Sequence, residues 1–245
     1  MYNAFAKYYD ILMRDVDYHA RADYICSLFS KYGKKPKLLL DLACGTGSFS
    51  NEFSHRGFSV IGVDISEEML CIAQEKSIKQ GNNVLYICQP AQELKLHSTV
   101  DGAVCLLDSL NHIIDYSELC EVFIKVSDAL EKDALFIFDM NTVYKHKNIL
   151  ADNAFVIEED GIFCVWQNFY NKDLHTTDII LDFFEKQGNK YERYSECFSE
   201  RAYTKREIYT ATEKAGLRIE ACLGDMSGDK PDSRESRMFF VARKV

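Results

Sequence analysis

The heptapeptide Asp41-Leu42-Ala43-Cys44-Gly45-Thr46-Gly47 is the most informative part of the sequence. It ends a short apolar run at residues 37–42 and precedes an amphipathic segment at residues 48–56. Small residues at positions 43, 45 and 47 allow a tight turn and let a ligand approach the backbone closely. The free N–H groups of a following helix would point into the same space. The pattern therefore predicts a strand, a glycine-rich turn and a helix, with a ligand at the turn.

Apolar runs and helical patterns alternate on both sides of this turn. Further buried strands are predicted at residues 59–63, 84–88, 102–106 and 134–138, and helices at residues 18–32, 48–56, 67–80 and 117–131, with Ser66 capping the third. Parallel strands need crossover connections, and these are right-handed. The alternation thus predicts an α/β fold, a doubly wound, mostly parallel, seven-stranded Rossmann-like sheet. Its ligand site is expected at the carboxyl ends of the strands.

The texture of the sequence changes after residue 150. Aromatic and β-branched runs predict antiparallel strands at residues 155–159, 162–170, 176–186 and 191–203, with turns at Asp160-Gly161 and Gly188-Asn189. A helix at residues 204–214, ended by Gly216, and strands at residues 217–223 and 237–241 then complete the main sheet. We therefore assign residues 1–150 and 204–245 to the core, and residues 151–203 to a small antiparallel β insertion after the fifth strand.

The insertion is rich in aromatic side chains, namely Trp166, Phe169, Tyr170, Phe183 and Phe184. Alternation along a strand directs only some of them to one face of the sheet. Two interpretations stay open. The insertion is either a lid over a substrate pocket or the contact surface of a homodimer.

The amino-acid composition limits the classes of molecule that the protein is expected to bind. The net charge of −9 disfavours nucleic acid, which is bound by concentrated Lys and Arg. Neither a signal peptide nor a membrane span of about 20 apolar residues is visible, so we expect a cytoplasmic protein with no membrane partner. Nine dispersed cysteines, such as Cys88, Cys105 and Cys164 within apolar runs, predict reduced core residues rather than disulfides or a zinc site.

The carboxylate of Asp41 at the turn restricts which ligands can bind there. Asp41 would repel a pyrophosphate, Ser50 stands where a dinucleotide motif requires its third glycine, and a P-loop lysine is absent. A carboxylate suits a cation, and S-adenosylmethionine carries both an ammonium and a sulfonium group. Asp64 follows the second strand, where a carboxylate can accept both hydroxyls of a ribose.

The segments LDLACGTGSFS (40–50), GVDISEEML (62–70), DGAVCLLDSLNHI (101–113) and FIFDMNT (136–142) carry a family resemblance. In order and spacing they resemble the class I S-adenosylmethionine-dependent methyltransferases over about residues 36–142. The tyrosine-rich segment at residues 5–12 and the β-rich insertion are similar to those of aminosugar N-methyltransferases. The resemblance implies an enzyme that transfers a methyl group from S-adenosylmethionine.

The resemblance also implies roles for individual residues. Gly45 and Gly47 would line the methionyl part of the cofactor, Asp41 would hold its ammonium, and Asp64 would bind the ribose. Many relatives place an acid near the adenine amine, but this chain has Pro90 there, so the backbone of Ala91 or the side chain of Gln92 is expected to substitute. The full set of expected cofactor contacts is Tyr9, Asp41, Ala43, Cys44, Gly45, Gly47, Asp64, Ile65, Met69, Ala91, Gln92 and Leu107.

Methyl transfer from a sulfonium chiefly requires alignment of the acceptor atom with the methyl carbon. An acceptor that loses a proton also needs a base, and the candidates are Asp108, His112 and Tyr144. Metal-dependent catechol-type relatives place Mg²⁺ ligands at the positions of Asp108, Asp139 and Asn141. We favour Asp139 and Asn141 as caps of the next segment and expect no metal.

Residues 107–111 read Leu-Asp-Ser-Leu-Asn and lack the Pro-Pro-aromatic stretch with which N6-adenine and glutamine methyltransferases of this family bind their substrates. We therefore favour a small-molecule acceptor methylated at nitrogen or oxygen. An RNA or protein methyltransferase and a non-catalytic cofactor-binding protein remain the alternatives.

Overall fold

The computed structural model describes residues 3–159 and 161–245; Asp160, half of the predicted Asp160-Gly161 turn, lies outside them. The helices are α1 (Asn3–Leu12), α2 (Tyr18–Tyr32), α3 (Ser48–His55), α4 (Glu67–Gln80), α5 (Tyr116–Ala129), α6 (Val143–Lys145) and α7 (Lys205–Lys214). Within the described ranges no helix combines the length and apolarity needed to cross a bilayer.

The main sheet contains β1 (Leu38–Leu42), β2 (Ser59–Asp64), β3 (Val84–Cys88), β4 (Val100–Cys105), β5 (Leu130–Asn141), β10 (Leu217–Gly224) and β11 (Arg237–Lys244). Their order is β10-β11-β5-β4-β1-β2-β3. The first five strands are parallel, and β11 pairs antiparallel with both β5 and β10. The predicted seven-stranded Rossmann-like sheet is confirmed. The chain leaves β1 in one direction for β2 and β3 and returns on its other side as β4, which opens a crevice at the carboxyl ends.

The two faces of this sheet are covered by separate apolar layers. Leu40 and Leu42 of β1 pack in the layer that includes α5 and α7, whereas Leu39 packs in the layer that includes α2 and α3. This alternation follows from the two-residue period of a strand. Both layers hold β1 rigidly, so the turn at its end is well positioned.

Helix caps set where the helices begin. Ser66 caps α4 as predicted, and its Oγ accepts a hydrogen bond of 3.2 Å from the Met69 N–H. Helix α5 starts at Tyr116 because the Asp115 carboxylate accepts bonds from the N–H groups of Ser117 and Glu118. The apolar pattern alone had placed that start at residue 117.

The segment after β5 forms a separate antiparallel sheet. It contains β6 (Ala154–Glu159), β7 (Ile162–Asn171), β8 (Thr176–Gln187) and β9 (Lys190–Arg201), in that order. Among its aromatic side chains, Phe183 is fully buried while Phe169 is half exposed. One face of this sheet therefore packs on the rest of the protein, and the other meets solvent.

Helix α1 connects this second sheet to the glycine-rich turn. The Tyr8 ring stacks on Phe183 of β8 with a centroid separation of 4.7 Å, and Lys7 forms a 2.6 Å ion pair with Glu185. Towards its C-terminal end, Asp10 accepts a 2.7 Å hydrogen bond from the hydroxyl of Thr46 in the turn. Helix α1 is thus held by both the second sheet and the turn.

The cysteines only partly follow the prediction of a buried environment. Cys105 and Cys164 are buried, but Cys88 is exposed. Cys88 ends β3, which is the edge strand of the main sheet, so one side of that strand lacks a neighbour. An apolar run alone does not distinguish an edge strand from a central one.

Candidate active site

A cavity of about 310 Å³ opens where the carboxyl ends of β1, β2 and β4 meet. Helix α1 and the segments after β3 and β4 supply its remaining walls. Of the twelve expected cofactor contacts, all within the described residues, nine line it: Tyr9, Ala43, Gly45, Asp64, Ile65, Met69, Ala91, Gln92 and Leu107. Asp41 and Cys44 line a narrower cleft that adjoins the cavity and shares Tyr9, Ala43 and Leu107 with it.

The glycine-rich turn is joined to the end of β2 through Asp64. The Gly45 N–H donates to Asp64 Oδ2 at 2.8 Å, and the Ser66 N–H donates to Oδ1 at 2.9 Å. Burial raises the pKa of this carboxyl, while these backbone donors partly oppose the shift. Gly45 adopts φ +54, and a Cβ there would come within 3.9 Å of the Tyr9 ring. The carboxylate is therefore fixed in orientation on the cavity wall.

Asp41 lies deeper, at the end of the adjoining cleft. Its side chain is almost fully buried and accepts a 2.5 Å hydrogen bond from Ser50 Oγ. Burial raises the pKa of the Asp41 carboxyl to about 7, and the bond from Ser50 opposes that shift. A cation in the cleft would stabilise the ionised form.

Gly47 was predicted to contact the cofactor, but the structure places it away from the cavity and the cleft. It adopts φ +72, and a Cβ at this position would collide with the Tyr86 hydroxyl and lie 2.8 Å from the Ala73 Cβ. The missing side chain thus lets α3 pack against α4 and β3. Gly47 shapes the turn from behind.

Gln89 is a cavity residue that the sequence analysis missed. It immediately precedes Pro90, the position that departs from the family pattern, and its side chain lines the cavity beside Ala91 and Gln92. The amide oxygen accepts a bond from the Lys95 N–H at 3.3 Å, but the buried Nε2 has no hydrogen-bond partner among the described residues. A buried donor without a partner is costly, so this side chain is suited to an acceptor atom on a ligand.

The turn after β4 is held by buried charges. Leu107 and Asp108 both have positive φ, and Asp139 at the end of β5 accepts bonds from their N–H groups at 2.7 and 3.1 Å. Arg237 at the start of β11 forms ion pairs with both Asp108 and Asp139. Burial opposes ionisation of Asp108, but Arg237, Lys145 and His112 together outweigh it, and the pKa of that carboxyl falls below its ordinary value.

The predicted capping role of Asp139 and Asn141 is wrong. Thr142 itself caps α6, because its hydroxyl accepts a 3.1 Å bond from the Lys145 N–H. Asp139 supports the turn after β4, and the Asn141 amide donates to Asp108 Oδ2 at 2.8 Å. Both side chains therefore serve the neighbouring turn in space rather than the next helix in sequence.

The three candidate bases have different surroundings. His112 lies on the cavity wall, where its ring packs against Phe198 of β9 at a centroid distance of 5.1 Å. Asp108 is engaged with Arg237 and Asn141, which makes it a poor proton acceptor. Tyr144 lies on α6 and does not contribute to the cavity wall. Of these three, only His112 combines a titratable group with a place in the cavity.

Comparison with known proteins gives this geometry a context. A sequence profile described as a methyltransferase domain matches residues 39–133. A protein of Geobacillus sp. (strain WCH70), whose name assigns it to the methyltransferases without stating a substrate, is 31% identical over 99% of both chains. The crystal structure of an S-adenosylmethionine-dependent methyltransferase from Clostridium acetobutylicum ATCC 824 is 32% identical, with a TM-score of 0.89 over 99% of this chain and 98% of that one.

This chain belongs to the S-adenosylmethionine-dependent methyltransferases. The fold is also shared with S-adenosylmethionine-bound CalS10, an amino pentose methyltransferase from Micromonospora echinaspora. Its identity to this chain is 18%, with a TM-score of 0.77 over 95% of this chain and 93% of CalS10. Since the chain belongs to this family, the cofactor of the methyltransferase is S-adenosylmethionine.

One cluster in this methyltransferase has the composition of a metal site. Ligand atoms of Asp108, His112 and Glu200 lie within 4.8 Å of one another. However, both oxygens of Asp108 already accept bonds, one from Arg237 and one from Asn141. A divalent ion would have to compete with a buried guanidinium, so the donor set suits an ion pair better than a metal.

Proposed function

We propose that this methyltransferase transfers the methyl group of S-adenosylmethionine to a nitrogen or oxygen atom of a small molecule bound beside His112. The observation that carries the proposal is that Asp64 and His112 line one cavity of about 310 Å³. An acid suited to a ribose and a candidate base thus line the same cavity. A cavity of this size accommodates a small ligand.

At the cofactor end, the residues present fit S-adenosylmethionine. Asp64 is fixed by two backbone N–H groups and keeps lone pairs for ribose hydroxyls. Asp41 would hold the ammonium group, Ile65 and Met69 would flank the adenine, and the unpartnered Nε2 of Gln89 would donate to a ring nitrogen. When bound, S-adenosylmethionine supplies a methyl group that is already activated on a sulfonium.

At the acceptor end, the protein has to orient the acceptor atom and exclude water. Phe5 and Tyr9 of α1, together with Leu110 and Ile113, give this part of the wall an apolar surface. His112 then accepts the proton that the acceptor releases as its bond to the methyl carbon forms. This role requires that the imidazole be neutral before the transfer.

The insertion at residues 151–203 is proposed to act as the lid of this cavity. Phe198 of β9 packs against both His112 and Phe5, which are wall residues from different elements. The lid therefore touches the acceptor end rather than the cofactor end. Two relatives are named as aminosugar N,N-dimethyltransferases, and a small acceptor is consistent with those names.

Titration calorimetry with S-adenosylmethionine and S-adenosylhomocysteine tests the cofactor half of the proposal. Asp64→Asn removes the charge while keeping an acceptor for the Gly45 N–H. Loss of a charged contact should weaken binding by about tenfold to more than a hundredfold. Asp173→Asn, the same exchange on an exposed turn of the insertion, should bind like the wild type.

A screen of small amines, phenols and sugars with radiolabelled S-adenosylmethionine then tests the acceptor half. Methyl transfer to a member of the screen that is lost in His112→Asn supports the proposal. Transfer to RNA or to a protein, with none to small molecules, would favour the macromolecular alternative. Tight cofactor binding without turnover on any acceptor class would point to a non-catalytic protein.

A further inference from the structure

We propose that Glu200, which the insertion contributes through β9, is the positioning residue that sets the orientation and proton location of His112. The inference rests on the proposed function, because it concerns the base at the acceptor end of the cavity. Glu200 itself is buried behind the wall. It acts through the imidazole and has no contact with the cavity.

Strand β9 contributes two side chains that contact His112. Phe198 and Glu200 are two residues apart on one strand, so their side chains share a face of the sheet. Phe198 packs on the His112 ring, tilted by 32°, while Glu200 Oε1 lies 3.7 Å from His112 Nε2. Phe198 thus restrains the plane of the ring, and Glu200 places a carboxylate near Nε2.

Glu200 has few other ways to satisfy its charge. The side chain is 6% exposed, and its buried Oε2 has no hydrogen-bond partner within the described residues. His146 Nε2 lies 3.7 Å from this oxygen. Burial lowers the pKa of His146 to about 4, so this second imidazole is neutral near pH 7. Of its two imidazole neighbours, only His112 lines the cavity.

The remaining charged groups near His112 have partners of their own. Arg237 neutralises Asp108 and Asp139, and Lys145 donates to Asn141 at 2.9 Å. Burial raises the pKa of Glu200 and the neighbouring Asp108 raises it further, whereas His112, Lys145 and the Asn141 amide lower it. The titratable groups that interact with His112 are Glu200 from β9, Asp108 from the turn after β4, His146 from the segment after β5 and Asp64 from β2; Glu118 from α5 lines the same cavity, and Lys145 interacts with Glu200 and Asp108.

This arrangement assigns the proton on the imidazole. A carboxylate facing Nε2 favours the tautomer that carries its hydrogen there, which leaves the lone pair on Nδ1. Nδ1 is buried and has no partner among the residues that the structure describes, so a hydrogen on it would be unpaired. A protonated His112 ring would be stabilised by Glu200.

NMR of the protein labelled with ¹⁵N-histidine tests this inference without an acceptor or a cofactor. The chain has six histidines, and the His112 signals are identified by their loss in His112→Asn. In Glu200→Gln, the His112 imidazole should lose its proton at a lower pH than in the wild type. Glu192→Gln, at an exposed position of the same strand, should leave that titration unchanged.

An unchanged His112 titration in folded Glu200→Gln would overturn the inference. Should that variant fail to fold, the coupling is measured from the other side, by following the ¹³C carboxyl signal of Glu200 in His112→Asn. Its titration should move to higher pH because an attracting partner is gone, and the absence of a shift would also overturn the inference. Failure of S-adenosylmethionine to bind would instead remove the proposed function while leaving this coupling measurable.

Discussion

The two ends of the cavity are built in different ways. At the cofactor end, Asp41, Gly45 and Asp64 lie within two consecutive strand-turn units, and backbone N–H groups fix the critical carboxylate. At the acceptor end, His112 packs against Phe198 of β9, and Arg237 of β11 pairs with Asp108 in the neighbouring turn; both partners are remote in sequence. In the proposed function, cofactor binding therefore depends on local backbone geometry, whereas the acceptor end depends on buried side-chain interactions between residues that are distant in sequence.

The largest expected effect concerns Arg237, the cation of the acceptor end. In Arg237→Leu, Asp108 and Asp139 remain buried without their counterion. Breaking a buried ion pair by removing one partner typically costs about 3–5 kcal/mol. Urea unfolding should show a loss of this size in the free energy of unfolding. Arg218→Leu provides the control, because Arg218 pairs with Glu220 on an exposed surface and should cost less than about 1 kcal/mol.

Equal losses in the two arginine variants would contradict the view that the acceptor end is organised by buried charge. The same outcome would also contradict the conclusion that Arg237 stabilises the turn after β4.

A smaller effect is expected at Gly47, behind the cofactor end. Gly47→Ala places a Cβ against Tyr86 and Ala73 in addition to the strain of a left-handed backbone. Together these should cost about 2–4 kcal/mol. Gly57 has φ +83, and a Cβ added there would have no neighbour within 4 Å, so Gly57→Ala measures the backbone strain alone, about 1–2 kcal/mol. Denaturant unfolding of both variants gives the steric part by difference.

The smallest effect is a pH dependence of cofactor affinity that arises from Asp41. Because burial raises its pKa to about 7, the folded protein keeps a proton that the unfolded chain releases near its ordinary value of 3.8. The resulting stability is fully present below that ordinary value and is lost as the pH rises through about 7. A bound ammonium favours the ionised carboxylate, so cofactor affinity should increase by up to about tenfold from pH 6 to pH 8.

Calorimetry with S-adenosylmethionine at several pH values checks this expectation. Asp41→Asn should bind more weakly than the wild type at pH 8 and show a flatter pH dependence. Parallel pH profiles for the two proteins would contradict the assignment of Asp41 as the residue that holds the ammonium group.

The same contrast explains what the sequence could predict. The strands, the turn at residues 41–47 and Asp64 were readable because local spacing determines them. Gln89 was missed although it stands beside Pro90, since spacing does not reveal an amide without a partner. Gly47 was assigned to the ligand because a glycine that packs against a neighbouring helix has the same local pattern as one that contacts a ligand. Arg237 and Glu200 approach the site only through tertiary packing, which no local pattern records.

The ion pairs of Arg237 also determine when the site can form during synthesis. Arg237 follows Asp108 by 129 residues in the chain. At a translation rate of 5–20 residues per second, roughly 6–26 seconds separate the appearance of the two residues. During that interval Asp108 and, once it has been synthesised, Asp139 lack the guanidinium that neutralises them. The nascent protein can therefore form its glycine-rich turn early, but the acceptor end matures only when β11 joins the sheet.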